Sequence, residues 1–163
     1  MESNKKALIV GMAKSGIGAA KLLRRVGWDV VINDKKSEIE GLSEALEGVS
    51  VEWRLGEDPV SLFDGVSLIV ISPIIPMTVP FVVAAKQRGI EVISEIELGY
   101  RYSHAEFVCI TGTNGKTTCT ALTGEMFKNG GRHTFVLGNI GVAITEHAKD
   151  TREGDVVVAE TAG

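Results

Sequence analysis

The chain has 163 residues, 44% of them apolar and 23% charged, with a net charge of −4 and 19 glycines. A large apolar share with so small a net charge excludes a disordered chain, and the acidic balance excludes a bulk nucleic-acid binder. Cys109 and Cys119 are too few for a disulfide scaffold, and no apolar run approaches the ~18 residues of a membrane span.

Such a length makes one large domain or two small ones. Residues 6–10, Lys-Ala-Leu-Ile-Val, read as a buried strand, too short for the apolar region of a secretion leader, so a soluble protein of a reducing, cytoplasmic compartment is expected. Residues 15–26 place Ala19, Leu22, Leu23 and Val26 on one helical face, and Gly27 closes that helix. A strand at 30–33, a helix at 39–47 ended by Gly48, a short strand at 51–54 and a β-branched strand at 67–71 follow. Pro80 opens a helix stopped by Gly89, and 91–93 form the next strand. Alternating strands and helices predict an α/β fold with a parallel sheet and right-handed crossovers.

A second unit begins near Ser94, giving expected domains 1–93 and 94–163. It reads as a helix to about Tyr102, a strand at 107–111, a helix at 116–129, a strand at 133–137, a short helix at 142–148 and a strand at 156–159. A parallel sheet of three strands and two helices leaves faces and an edge uncovered, so 94–163 is expected to be the opening part of a larger domain. Cys109, Cys119, Trp28 and Trp53 are expected in the core, and His104, His133 and His147 lack metal-ligand spacing.

Two strand-to-helix turns carry the chemistry. Gly11-Met12-Ala13-Lys14-Ser15-Gly16 reads as a dinucleotide fingerprint with Ala13 at the middle glycine, and Asp34 ends the second strand, where such a unit places a ribose-binding acid. Thr111-Gly112-Thr113-Asn114-Gly115-Lys116-Thr117-Thr118 has the strand–loop–helix setting of a phosphate loop. Its glycines let backbone N–H groups face a phosphate at a helix N-terminus, Lys116 would reach phosphoryl oxygens, and Thr117 would offer a hydroxyl to Mg²⁺. The full Walker pattern would put its first glycine at position 110, which is Ile110; here the first is Gly112. Plainer readings stand beside these: tight strand–helix packing for Gly11, Ser15 and Gly16, a polar turn for Asp34 and Lys35, a helix-stopping turn for Ser72-Pro73, a turn residue for Asn139, and a solvated strand end for Glu160.

The loop at 111–118 resembles the ATP-binding loop of the Mur ligases, the ATP-dependent amino-acid ligases of peptidoglycan synthesis, whose compressed spacing it shares. Leu137-Gly138-Asn139-Ile140-Gly141 is similar to that family's Gly-Asn-Ile-Gly loop, and Val157-Val158-Ala159-Glu160 to its strand ending in a magnesium-binding Glu. Ser72-Pro73 resembles its Ser-Pro-Gly-Ile loop with Ile74 in place of Gly, and 94–98 its first interdomain segment. After Glu160 the family's pattern is lost in Thr161-Ala162-Gly163, so no role is carried there.

The resemblance implies a Rossmann-like N-terminal domain holding a UDP substrate through Gly11, Lys14, Ser15, Gly16, Asp34, Lys35, Ser72, Pro73 and Asn139. It implies the first part of a P-loop-type domain binding ATP through Gly112, Thr113, Asn114, Gly115, Lys116, Thr117 and Thr118. Lys116 and Asn139 would be catalytic, and Thr117 and Glu160 would hold Mg²⁺. The implied reaction joins D-glutamate to UDP-MurNAc-L-alanine through an acyl phosphate, in a monomeric, cytoplasmic enzyme that binds no nucleic acid and inserts in no membrane. The third domain, which recognises the amino acid, lies outside this sequence, and these 163 residues alone are expected to make no amide bond. The family's L-alanine-adding branch is the near alternative, although it has His where Asn114 stands. A nucleotide-binding module without catalysis and an NAD-dependent oxidoreductase are the others; the latter leaves the loop at 111–118 unexplained.

Overall fold

A computed structural model describes residues 5–138 and 142–161. The chain divides into two units, Met1–Glu95 and Ile96–Gly163. In the first, β1 (Lys6–Val10), β2 (Asp29–Asn33), β3 (Glu52–Trp53), β4 (Val66–Ile71) and β5 (Glu91–Ser94) form one sheet in the order β3-β2-β1-β4-β5. Every pairing is parallel. The order reverses between β1 and β4, and a crevice opens over the carboxyl ends of strands at such a point.

Helix α1 (Lys14–Arg25) buries Ala19, Ala20, Leu22 and Leu23, the face its sequence period requires. Gly27, at φ +92°, turns the chain out of it, and the Arg24 guanidinium donates to the Trp28 carbonyl at 2.7 Å. Helix α3 (Pro80–Gln87) lays Val82 and Ala85 against Leu8, Val10, Ile69 and Ile71. Each large side chain taken fully from water there contributes roughly 1.5–3 kcal/mol.

The helix expected at 39–47 is only the four-residue α2 (Leu42–Ala45), because Gly41 sits at φ +76° and starts the helix late. A 3-10 turn at Pro59–Leu62, capped by the Asp58 carboxylate accepting from the Val60 N–H, went unread. Trp53 is not in the core: it lies 45% exposed on the two-residue edge strand β3. Trp28 is half-buried, with the Lys5 ammonium 5.6 Å from its ring centre.

After α4 (Glu95–Tyr102), β6 (Glu106–Ile110), β7 (Thr134–Gly138) and β8 (Val156–Glu160) form a parallel sheet ordered β6-β8-β7. The wholly buried β8 is central. Helix α5 (Lys116–Asn129) has the predicted bounds, and Gly124 lets it close on β7, since a Cβ there would lie 2.5 Å from Val136 Cγ2. Its outer side carries Leu122 and Met126, 61% and 74% exposed. The short helix expected at 142–148 is α6 (Ile144–His147), continued as a 3-10 turn at Ala148–Asp150. Cys109 and Cys119 are exposed rather than buried, because β6 is an edge strand and α5 is covered on one side. No helix among the described residues is long and apolar enough to cross a membrane.

Candidate functional site

In the first unit the turn between β1 and α1 lies at the strand-order reversal. Gly11 takes φ +96°, and its N–H donates to the Asn33 carbonyl at 2.9 Å. Gly16 has no unusual backbone; its constraint is space, since a Cβ there would lie 2.0 Å from the Gly11 carbonyl oxygen. The glycine therefore seats the start of α1 directly on the turn. No side chain caps that helix N-terminus, and its first turn holds no acid.

Ser72, the residue after β4, lies against the same turn. It is 5% exposed, its N–H donates to the Val10 carbonyl, and its Cβ would be 3.0 Å from a Cβ on Gly11. Pro73 follows half-buried, and Ile74 stands 83% exposed. Asp34 Oδ2 accepts the Met12 N–H at 2.8 Å, so Gly11, Gly16, Asp34 and Ser72 are brought together at this turn. Ser15 is half-buried in the first turn of α1, Lys14 is exposed beside it, and Lys35 is exposed past Asp34. Asn33, unread in the sequence, is buried, and its amide donates to the Arg54 and Glu57 carbonyls at 2.7 and 3.0 Å, pinning the chain after β3.

In the second unit the glycine loop joins β6 to α5. Gly112 at φ +148° and Gly115 at φ +75° supply the turns. Helix α5 likewise starts with neither a side-chain cap nor an acid in its first turn. The Lys116 ammonium donates to the Gly112 carbonyl at 2.6 Å, across its own loop. The Thr117 hydroxyl donates to Glu160 Oε2 at 3.0 Å. Glu160 is 7% exposed at the end of the central strand, and parallel register sets it beside Ile110 and Gly138. Gly138 is needed there, because a Cβ would meet the Glu160 carbonyl oxygen at 2.5 Å.

Thr113, Asn114 and Thr118 are exposed around the loop, and Asn139 lies outside the described residues. Sequence reading assigned nothing to Thr161, whose N–H donates to the Ile110 carbonyl at 2.9 Å and ties β8 to the loop's root. Among the described residues no three His, Cys, Asp or Glu side chains gather into a metal cluster. One carboxylate with one hydroxyl fits Mg²⁺, which takes few protein ligands and completes its shell from phosphates and water. Two groups shifted from their ordinary pKa lie elsewhere. Asp155 is held low, first by the Arg152 N–H and then by His133, and the Arg54 guanidinium is raised, first by its hydrogen bond to Glu52.

Two parallel sheets, each with a glycine turn feeding an uncapped helix, define a Rossmann-like type of α/β protein. The chain belongs to the Mur ligases: residues 5–94 match the family described as Mur ligase MurD-like, N-terminal domain. It is 45% identical over 162 residues to the UDP-N-acetylmuramoylalanine–D-glutamate ligase of Alkaliphilus metalliredigens (strain QYMF), covering 96% of this chain and 35% of that protein. The same identity, over 159 residues, holds for the ligase of that name from Bacillus thuringiensis (strain Al Hakam), again across 96% and 35%. The chain thus spans about a third of the length of these relatives.

Among solved structures it is similar to the UDP-N-acetylmuramate:L-alanyl-gamma-D-glutamyl-meso-diaminopimelate ligase from Neisseria meningitides, with a TM-score of 0.58 and 20% identity over 96% of this chain and 52% of that one. It is also similar to the UDP-N-acetylmuramate-alanine ligase MurC from Thermotoga maritima, with a TM-score of 0.55 and 17% identity over 98% and 37%. At those identities the likeness speaks for the fold alone.

Proposed function

We propose that this chain is the N-terminal part of an ATP-dependent ligase that joins D-glutamate to UDP-MurNAc-L-alanine in peptidoglycan synthesis. The whole protein would act as a cytoplasmic monomer. Residues 1–93 would anchor the UDP end of the substrate, and 94–163 would open the ATP-binding domain. The observation that carries the reading is the pairing of Thr117 with Glu160 at 3.0 Å beside the loop that bears Lys116. The naming of the 45%-identical relatives supports the choice of substrate and amino acid.

In this reading the loop N–H groups and Lys116 hold and neutralise the phosphates of ATP. Thr117 and Glu160 would hold Mg²⁺, which supplies charge neutralisation at the phosphates when bound. The α1 turn fixes the diphosphate of the UDP substrate, and Ser72 bounds its far side. Remote binding of the UDP group offsets the entropy of assembling three substrates.

Calorimetric titration of the chain with UDP-MurNAc-L-alanine, with NAD as comparator, tests the proposal. Binding of the muramyl nucleotide without NAD binding is the expected result. Binding of NAD alone would overturn it in favour of a dinucleotide-binding unit.

A further inference from the structure

The sheet of the first unit ends at β3, and no strand lies beyond it among the described residues. Trp53 stands on that edge 45% exposed, beside a cavity of about 610 Å³. Ile39 and Leu55, both half-buried, give this cavity apolar surface, and the exposed Glu38, Glu40 and Glu44 give it three carboxylates. Among the described residues no Lys or Arg lines it. The adjacent cation is already engaged: Arg54 Nε donates to Glu52 Oε1 at 2.8 Å, and its Nη1 donates to Glu57 Oε1 at 3.5 Å. Elsewhere the chain supplies its own cations to ring faces, with the Lys5 ammonium 5.6 Å from the Trp28 ring centre and the Arg88 guanidinium 5.4 Å from that of Phe63. Among the described residues no cation lies over Trp53, and none of Glu38, Glu40 and Glu44 is ion-paired. Residues 34–64 hold nine Asp and Glu against three Lys and Arg, a net of −6 where the whole chain has −4.

We propose that this sheet edge docks a basic segment of a partner protein, with an arginine or lysine of that segment laid on the Trp53 ring and its basic neighbours facing Glu38, Glu40 and Glu44. The face of an indole attracts a cation, and a guanidinium also stacks on it. Carboxylates around the ring choose the sign of the partner and speed its encounter more than they tighten the complex. Docking of this kind is weak and sensitive to salt. A short, charged edge strand also discourages sheet-to-sheet pairing, which accounts for Glu52 but not for an uncovered indole. The inference is independent of the nucleotide readings, because none of the residues assigned to UDP or ATP lines this cavity.

The test is nuclear magnetic resonance of the whole chain, in which Trp28 and Trp53 give separate indole N–H signals and Trp28, already facing Lys5, is the internal control. The probe is the peptide Arg-Gly-Arg-Gly-Arg, blocked at both ends. It should move the Trp53 signal and the Gly41 and Leu55 amides while the Trp28 signal stays in place, and a peptide with Glu for each Arg should move none of them. Glu38→Gln, Glu40→Gln and Glu44→Gln together should weaken binding about tenfold. Trp53→Ala, followed at the Gly41 and Leu55 amides, should weaken it about fivefold. Added salt should weaken binding by the native chain more than by the triple variant. No shift at Trp53, or equal shifts at both tryptophans, would overturn the proposal, and so would an affinity unchanged in either variant. A Trp53 signal that moves with the concentration of the chain alone would overturn it in favour of a second copy at this edge. Retained protection of the Ile69 amide on β4 reports an intact fold, and if Trp53→Ala does not fold, the glutamine variant carries the comparison.

Discussion

Thr117 and Glu160 are far apart in sequence, and only the central place of β8 in its sheet brings them to 3.0 Å. Glu160 is almost wholly buried, and a buried polar group needs a hydrogen-bond partner. Thr117→Val keeps the shape but removes a donor. Thr117→Ser keeps the donor and loses a methyl group. Thr117→Val should therefore bind Mg-ATP about tenfold more weakly than the native chain, with Thr117→Ser close to native. Titration at fixed Mg²⁺ measures this, and equal affinities in all three would show that the hydroxyl is a packing group. The same scale shows where sequence reading stops. The glycines at 11, 16, 112 and 115 were legible as a pattern because close approach and positive φ demand that residue type. Asp34 was legible as an acid in the right place, but its backbone partners were not, since a motif gives position and not the orientation of a carboxylate.

Among the elements, the foot of the second sheet carries a carboxylate that responds to acid. Asp155 Oδ2 accepts the Arg152 N–H at 2.9 Å, and Oδ1 lies 3.2 Å from His133 Nδ1. These contacts hold its carboxyl below the usual carboxylate range. A depressed folded-state value means the contribution is present above the unfolded pKa of about 3.9 and is lost as pH falls through the folded one. Asp155→Asn should therefore flatten the acid limb of the stability curve below about pH 4. Urea unfolding followed by circular dichroism across that range is the measurement, and an unaltered acid slope would contradict it. The strands and α5 could be read from apolar runs and caps because burial on both faces of a parallel sheet leaves that imprint. The helix at 39–47 failed because a single glycine at φ +76° outweighed a helical pattern. Trp53, Cys109 and Cys119 failed for a different reason: apolar character does not say whether a strand is central or at an edge.

At the scale of the whole molecule the two units differ in how much apolar surface each removes from water. Among the largest fully buried side chains of the described residues, Leu98, Ile144 and Val156 belong to Ile96–Gly163, and the others belong to Met1–Glu95. The second unit also leaves Leu122 and Met126 exposed on α5 and the side chains of β6 half-covered. A smaller core gives a lower free energy of opening, so the second unit should melt first. The sequence supplies its own reporters: both tryptophans, Trp28 and Trp53, lie in the first unit, and both tyrosines, Tyr100 and Tyr102, in the second. On heating, tyrosine signals in the near-ultraviolet and part of the far-ultraviolet ellipticity should change before tryptophan emission does. A ligand stabilises the unit that binds it by mass action. Mg-ATP should then raise the tyrosine-reported transition and leave the tryptophan-reported one in place, and UDP should do the reverse. A single transition seen alike by all three signals would show that the two sheets unfold as one cooperative body, and a shift of both transitions by one ligand would show that this ligand's action is not confined to the unit assigned to it.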